Sequence, residues 1–146
     1  MYDLHGGTMT TIDDLQNEYT DLEFAIDIKT EEAIRTDVLL TFKYDYPESL
    51  ASIELDTDEF TAVCPWTGLP DLGTLEISYV PNNVLIELKS LKYYLLSFRD
   101  VGIVQEHVAN RILNDLVTLT NPRSMSLNLT YKTRGGINTA VKANFP

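Results

Sequence analysis

Basic residues are scarce in this 146-residue chain. Its 11 Lys and Arg face 22 Asp and Glu, for a formal charge of −11. Non-specific binding to a phosphate backbone depends on cations that displace counterions, so a nucleic acid is a poor direct partner and a free small molecule a better one. A single cysteine excludes an intramolecular disulfide and any multi-cysteine zinc site. The two histidines, His5 and His107, have no metal-ligand spacing, so no metal is expected. No apolar run approaches the ~20 residues that span a bilayer. The amino terminus carries no basic segment followed by an apolar block, and the expected location is cytoplasmic. A glycine-rich dinucleotide fingerprint and a P-loop are both missing, so any nucleotide site must be built differently.

What is present suits one compact domain: 44% of residues are apolar and 10% aromatic. Residues 1–36 are acidic and poorly patterned and read as an arm with one short helix, ahead of a single domain over 37–146. Val38–Tyr44 and Leu50–Leu55 read as strands. Phe60–Leu72, interrupted by Pro65, Gly68 and Pro70, reads as a loop. Leu75, Ile77 and Tyr79 then alternate with polar residues at the period of a half-buried strand, which Pro81-Asn82-Asn83 ends.

Helical character follows from Leu88 to Asp100 and again from Ile103 to Leu119, where Asn121-Pro122 stops it. In the second helix Val104, Val108, Ile112 and Leu116 form one apolar row, and Ala109, Leu113 and Val117 another. Such a helix needs cover from its own sheet and from a second subunit. Leu127, Leu129 and Tyr131 share a face of one closing strand; Ile137, Thr139, Val141, Ala143 and Phe145 share a face of the other. Arg134-Gly135-Gly136 supplies the hairpin turn. The order is strands, two helices, hairpin: an α+β fold with helices on an antiparallel sheet. The open edges of so small a sheet predict oligomerisation, with closure into a barrel between subunits.

Three stretches could carry chemistry. In Cys64–Asp71 two prolines stiffen a loop that could hold a thiol and a carboxylate toward one space, where the thiolate attacks an electrophilic carbon and the acid supplies a proton. A core cysteine and a turn aspartate are the plainer alternative. Glu87–Arg99 concentrates Lys89, Lys92 and Arg99 near one helical face, which suits a phosphorylated cofactor or simply a solvated surface. Glu106 lies in an apolar helical row, so its carboxylate requires a partner. The paired N–H donors of a guanine-type base and an intersubunit ion pair fit it equally well.

Taken together, and in this order, these segments resemble the NADPH-dependent 7-cyano-7-deazaguanine reductases, the nitrile reductases of queuosine biosynthesis. The resemblance runs from about Phe60 to the C-terminus. It rests on Cys-Pro-x-Thr-Gly-x-Pro-Asp at Cys64–Asp71, Glu-Leu-Lys-Ser-Leu-Lys-Tyr-Tyr at Glu87–Tyr94, Ser97-Phe98-Arg99, the Asn110–Asp115 segment and Arg134-Gly135-Gly136-Ile137. It implies the tunnelling fold, homo-oligomeric barrels and interfacial active sites. It further implies that Cys64 adds to the nitrile carbon to form a thioimidate, that Asp71 is the general acid, and that two NADPH complete the reduction. Glu106, Gln105 and Glu87 would meet the substrate; Lys89, Ser90, Lys92, Arg134 and Gly135 would meet NADPH.

One position departs from the pattern. The family usually carries an aromatic-His-Glu sequence where this chain has Val104-Gln105-Glu106. Gln105 can hydrogen-bond but cannot shuttle a proton at neutral pH, and His107 lies about 100° away around the helix. Activity is expected to persist, with Asp71 and water serving both proton transfers. The competing readings are a relative that forms an amidine with ammonia in place of hydride, and a non-catalytic deazapurine-binding subunit.

Overall fold

The structure is a computed structural model that describes residues 10–15, 17 and 27–146. Residues 12–15 form a helical turn, with Thr11 and Asp14 capping each other; apart from residues 10–15 and 17, the arm up to residue 26 lies outside the described residues. Two 3₁₀ turns, Glu31–Ala33 and Thr36–Val38, lead into β1 (Thr41–Lys43), β2 (Ile53–Val63), β3 (Pro70–Val80) and β4 (Val84–Ile86). Helices α1 (Leu88–Leu96) and α2 (Gln105–Thr120) follow, then β5 (Ser124–Tyr131) and β6 (Ala140–Phe145). The main sheet is antiparallel, ordered β2-β3-β5-β6, and β1 pairs with β4 separately. The expected α+β order is therefore found.

The differences lie in β1 and β2. Only Thr41–Lys43 of the first expected strand pairs as a strand, and Thr36–Val38 before it coils into a 3₁₀ turn. β2 continues through the acidic stretch expected to end it. Glu54 and Asp56 lie on its outer face, where charge costs nothing. Thr57 pairs with Leu75 but Phe60 with Gly73, so β2 spends one extra residue in a bulge. That bulge switches the inward positions from Ile53, Leu55 and Thr57 to Phe60 and Ala62. The expected loop over Phe60–Leu72 accordingly shrinks to the few residues after Cys64, since Phe60–Val63 belongs to β2 and Pro70 opens β3.

Both helices cover one face of the sheet. In α2, Val108, Ala109, Ile112 and Leu116 are fully buried and Leu113 nearly so, as the two apolar rows require. Each such aliphatic side chain contributes about 1.5–3 kcal/mol by leaving water. Asn121, in the left-handed region at φ 43°, caps the helix with its N–H on Val117 O. Phe98 stacks edge-on to Phe60 and to Tyr94, with centroids 5.6 and 5.4 Å apart, joining α1 to β2. On the strands, Leu75, Ile77 and Tyr79 of β3 and Met125, Leu127, Leu129 and Tyr131 of β5 face the helices.

Candidate active site

Cys64 follows the last residue of β2 and opens a tight loop. Its N–H donates to Leu69 O (2.9 Å) and its carbonyl accepts from Gly68 N (2.8 Å), with Gly68 at φ 70°. From below, Val63 exchanges backbone bonds with the segment between the helices: its N–H donates to Val101 O, and its carbonyl accepts from Ile103 N. Cys64 is buried, and its loop is anchored through Val63 to the segment that leads into α2.

Asp71 reaches the same corner by strand periodicity. Counting back in twos from Leu75 along β3 gives Gly73 and then Asp71, so the carboxylate lies on the core face at 5% exposure. Burying a carboxylate is costly without partners. Two are supplied to Oδ1: Arg134 Nη1 at 2.6 Å and Gln105 Nε2 at 3.1 Å. Arg134 stands at the mouth of the β5–β6 hairpin, whose turn residues Gly135 and Gly136 have φ of 57° and 75°. Two successive positive φ values make the tight turn that glycines allow. The second arm of the guanidinium, Nη2, donates to Thr67 Oγ1 at 3.1 Å.

Burial alone would raise the Cys64 thiol. It is outweighed by hydrogen bonds from the Thr67 hydroxyl, the Thr67 and Trp66 amides and Arg134, so the thiol titrates below its ordinary range. Thr67 Oγ1 already accepts from Leu69 N and Arg134, which leaves its own hydrogen free for the sulfur. Tyr131 closes the floor by donating its hydroxyl to Gln105 O at 3.0 Å. Burial, and the charges of Asp71 and Glu106, push that phenol far up, so it stays a donor.

The remaining expected site residues lie outside this hydrogen-bonded cluster. Glu106 is exposed in the first turn of α2 rather than set against apolar groups, because the helix begins only one residue before it. Its charge suits a helix N-terminus. Glu87 caps α1, accepting from Lys89 N (2.9 Å) and Ser90 N (2.7 Å), which lowers its pKa. Ser90 is buried; its hydroxyl donates to Glu87 O and accepts from Leu40 N. Lys89 and Lys92 are exposed on α1, and neither enters an ion pair among the described residues. Gly135 is open to solvent, and a side chain there would meet no neighbouring atom. Residues that sequence reasoning did not single out are Thr67 and Tyr131, both in contact with members of the cluster.

A larger cleft of about 440 Å³ lies between β2 and α1, lined by Phe60, Leu75, Leu88, Leu91, Lys92 and Leu95. It does not include Cys64 or Asp71.

The family model described as QueF-like protein matches residues 70–145. The NADPH-dependent 7-cyano-7-deazaguanine reductase of Caldicellulosiruptor bescii is 53% identical over 82% of this chain and 91% of its own length. The chain belongs to the QueF-like family. Another family member, the NADPH-dependent 7-cyano-7-deazaguanine reductase of Caldanaerobacter subterraneus subsp. tengcongensis, is 48% identical over 90% of this chain and 96% of its own. Among solved structures, the archaeosine synthase QueF-Like in the apo form superimposes with a TM-score of 0.61, covering 66% of this chain and 94% of that one. At 22% identity it bears on the fold alone. Among the described residues, no helix is long and apolar enough to cross a membrane.

Proposed function

We propose that this protein reduces the nitrile of 7-cyano-7-deazaguanine to an aminomethyl group with two NADPH, through a thioimidate on Cys64. The observation that carries the reading is the pairing of a buried thiol, titrating below its ordinary range, with a buried carboxylate in the same corner. Cys64 adds to the nitrile carbon as its S–H bond breaks. Asp71, starting as a carboxylate opposite Arg134, carries the proton to the nitrile nitrogen, turning C≡N into C=N–H. Gln105 orients Asp71 without exchanging a proton, and the corner's burial keeps water from the adduct. NADPH supplies hydride when bound. Exposed Lys89 and Lys92, with no carboxylate partner among the described residues, fit its phosphates. Glu106 would accept the two N–H groups of the base's guanine edge.

Within one chain no hydrogen bond or ion pair joins the α1 lysines to the Cys64 corner among the described residues. Edge strands β2 and β6 are open, and Trp66 (80% exposed) and Ile137 (69%) sit on the two loops that meet at the site. These features support a homo-oligomeric tunnelling-fold barrel in which a neighbouring copy completes each site.

The deciding experiment is NADPH oxidation with 7-cyano-7-deazaguanine by the parent and by Cys64→Ala. Two NADPH per nitrile from the parent, and none from the variant, is the expected outcome. Adduct formation without NADPH consumption would overturn the reductase reading in favour of amidine formation.

A further inference from the structure

We propose that Arg134 is a positioning residue for the covalent step itself, its guanidinium drawing Asp71 and Thr67 around the Cys64 sulfur before any cofactor binds. The proposal rests on the reductase reading of the site and departs from the role in NADPH binding that the family resemblance gives to Arg134.

Geometry is the first support. One planar guanidinium bonds Asp71 Oδ1 at 2.6 Å through Nη1 and Thr67 Oγ1 at 3.1 Å through Nη2, tying the start of β3 to the Cys64 loop. A lysine ammonium is a single point and lacks this fork. The arginine is also delivered from a fixed place. Arg134 and Ile137 exchange both backbone hydrogen bonds, at 3.1 and 3.0 Å, and Lys132 N donates to Leu72 O at 2.8 Å. The hairpin is thereby pinned at its turn and against β3.

Charge is the second support. Asp71 is almost fully buried and Arg134 is 40% exposed at the side chain, so the cation faces both solvent and site. The carboxylates whose charges reach Tyr131, on the floor of the corner, are Asp71 and Glu106. Arg134 is the cation that acts on Cys64, and Cys64 and Asp71 in turn hold Arg134 in its charged form. An arginine already committed to two partners is poorly placed to capture a cofactor phosphate as its only task.

The step it serves balances without the cofactor. The thiol proton passes to Asp71 and then to the nitrile nitrogen, one S–C bond forms, one C–N π bond is lost, and no electrons are exchanged. Arg134, bonded to Asp71 Oδ1 at 2.6 Å, fixes where that carboxylate stands for the transfer.

The test omits NADPH. Full-length parent, Arg134→Met, Arg134→Gln and Arg134→Lys are compared in two assays: iodoacetamide alkylation of Cys64 across pH, and adduct absorbance on mixing with 7-cyano-7-deazaguanine. Loss of the charge is expected to move the alkylation limb to higher pH and to slow adduct formation roughly tenfold at neutral pH. Lysine should restore part of the alkylation profile by charge but less of the adduct rate, because it cannot bridge both partners. The proposal is overturned if the neutral variants alkylate with the parent's pH profile, form adduct at its rate, and lose only their KM for NADPH. Either neutral variant suffices should the other fail to fold. Alkylation needs no nitrile, so a parent that ignores the nitrile would sink the reductase reading while the alkylation profiles still decide the role of Arg134.

Discussion

Gln105, the first residue of α2, donates its side-chain amide to Asp71 Oδ1 across 3.1 Å. A carboxylate can only accept, so the amide must present Nε2 to it and not Oε1. The position that usually holds histidine in the resembled reductases is thus occupied by a group that bonds the buried carboxylate and cannot itself supply a proton. Gln105→Leu removes one of the two donors on Asp71 and should slow adduct formation by roughly ten- to a hundredfold, the worth of a hydrogen bond to a charged group. Gln105→His should retain adduct formation and add a pH limb near the ordinary imidazole value of about 6.5. Stopped-flow absorbance over pH reads both effects. A leucine variant as fast as the parent would remove Gln105 from the mechanism.

Asp71→Asn separates nucleophile from proton carrier. The amide keeps the size of the carboxylate and can still accept from Arg134, so the thiol should remain reactive to iodoacetamide. Adduct formation should fall by about 10²–10⁴, the span attributed to a positioned acid or base. Comparable losses in alkylation and adduct formation would mean that Asp71 acts on the thiol alone.

Much of this arrangement is legible in the sequence, and what is not has physical causes. Leu75, Ile77 and Tyr79 announce β3 by period two, and Val108, Ile112 and Leu116 announce the buried face of α2 by period 3.6. β2 is cut short in the sequence because Asp56, Asp58 and Glu59 look like a breaker, whereas exposed strand positions tolerate acids and the bulge hides the alternation. Pro70 reads as loop for a similar reason, although the first residue of a strand accommodates proline. The inward position of Asp71 is already present in the alternation, two steps back from Leu75. The Arg134–Asp71 ion pair spans 63 positions and depends on the β3–β5 register, for which no local pattern exists.

Glu87 should make acid stability depend on α1. Its carboxylate accepts from Lys89 N and Ser90 N, which hold its folded pKa below the ordinary glutamate value. A depressed folded pKa contributes stability in full above the unfolded value of about 4.3, and that contribution is lost as pH falls through the folded value. Glu87→Gln should therefore melt lower than the parent at neutral pH, with the gap narrowing as the pH drops toward about 3. Thermal melts at intervals across that range supply the check. A gap that stays constant with pH would mean that the charge on Glu87 does not contribute to the cap.

Gly102 links the backbone between the helices to the reactive loop. A Cβ there would stand 2.6 Å from Ile28 Cγ2 and 3.2 Å from Pro65 Cα. The isoleucine methyl can swing aside, but Pro65 is backbone adjoining Cys64 and must move with its loop. The bonds on either side, Val63 N to Val101 O and Gly102 N to Lys29 O, leave Gly102 little room to retreat. A displacement of even a fraction of an ångström at the nucleophile matters, since an error near 1 Å can cost roughly a hundredfold in rate. Gly102→Ala should then lower turnover about tenfold or more while changing the melting temperature little, because the crowding falls on a surface loop and not on the core beneath α2. Turnover and melting measured on the same preparation distinguish the two effects. Equal losses of both would place the strain in the fold, and parent-like turnover would show that the Cys64 loop absorbs the methyl group without moving its thiol.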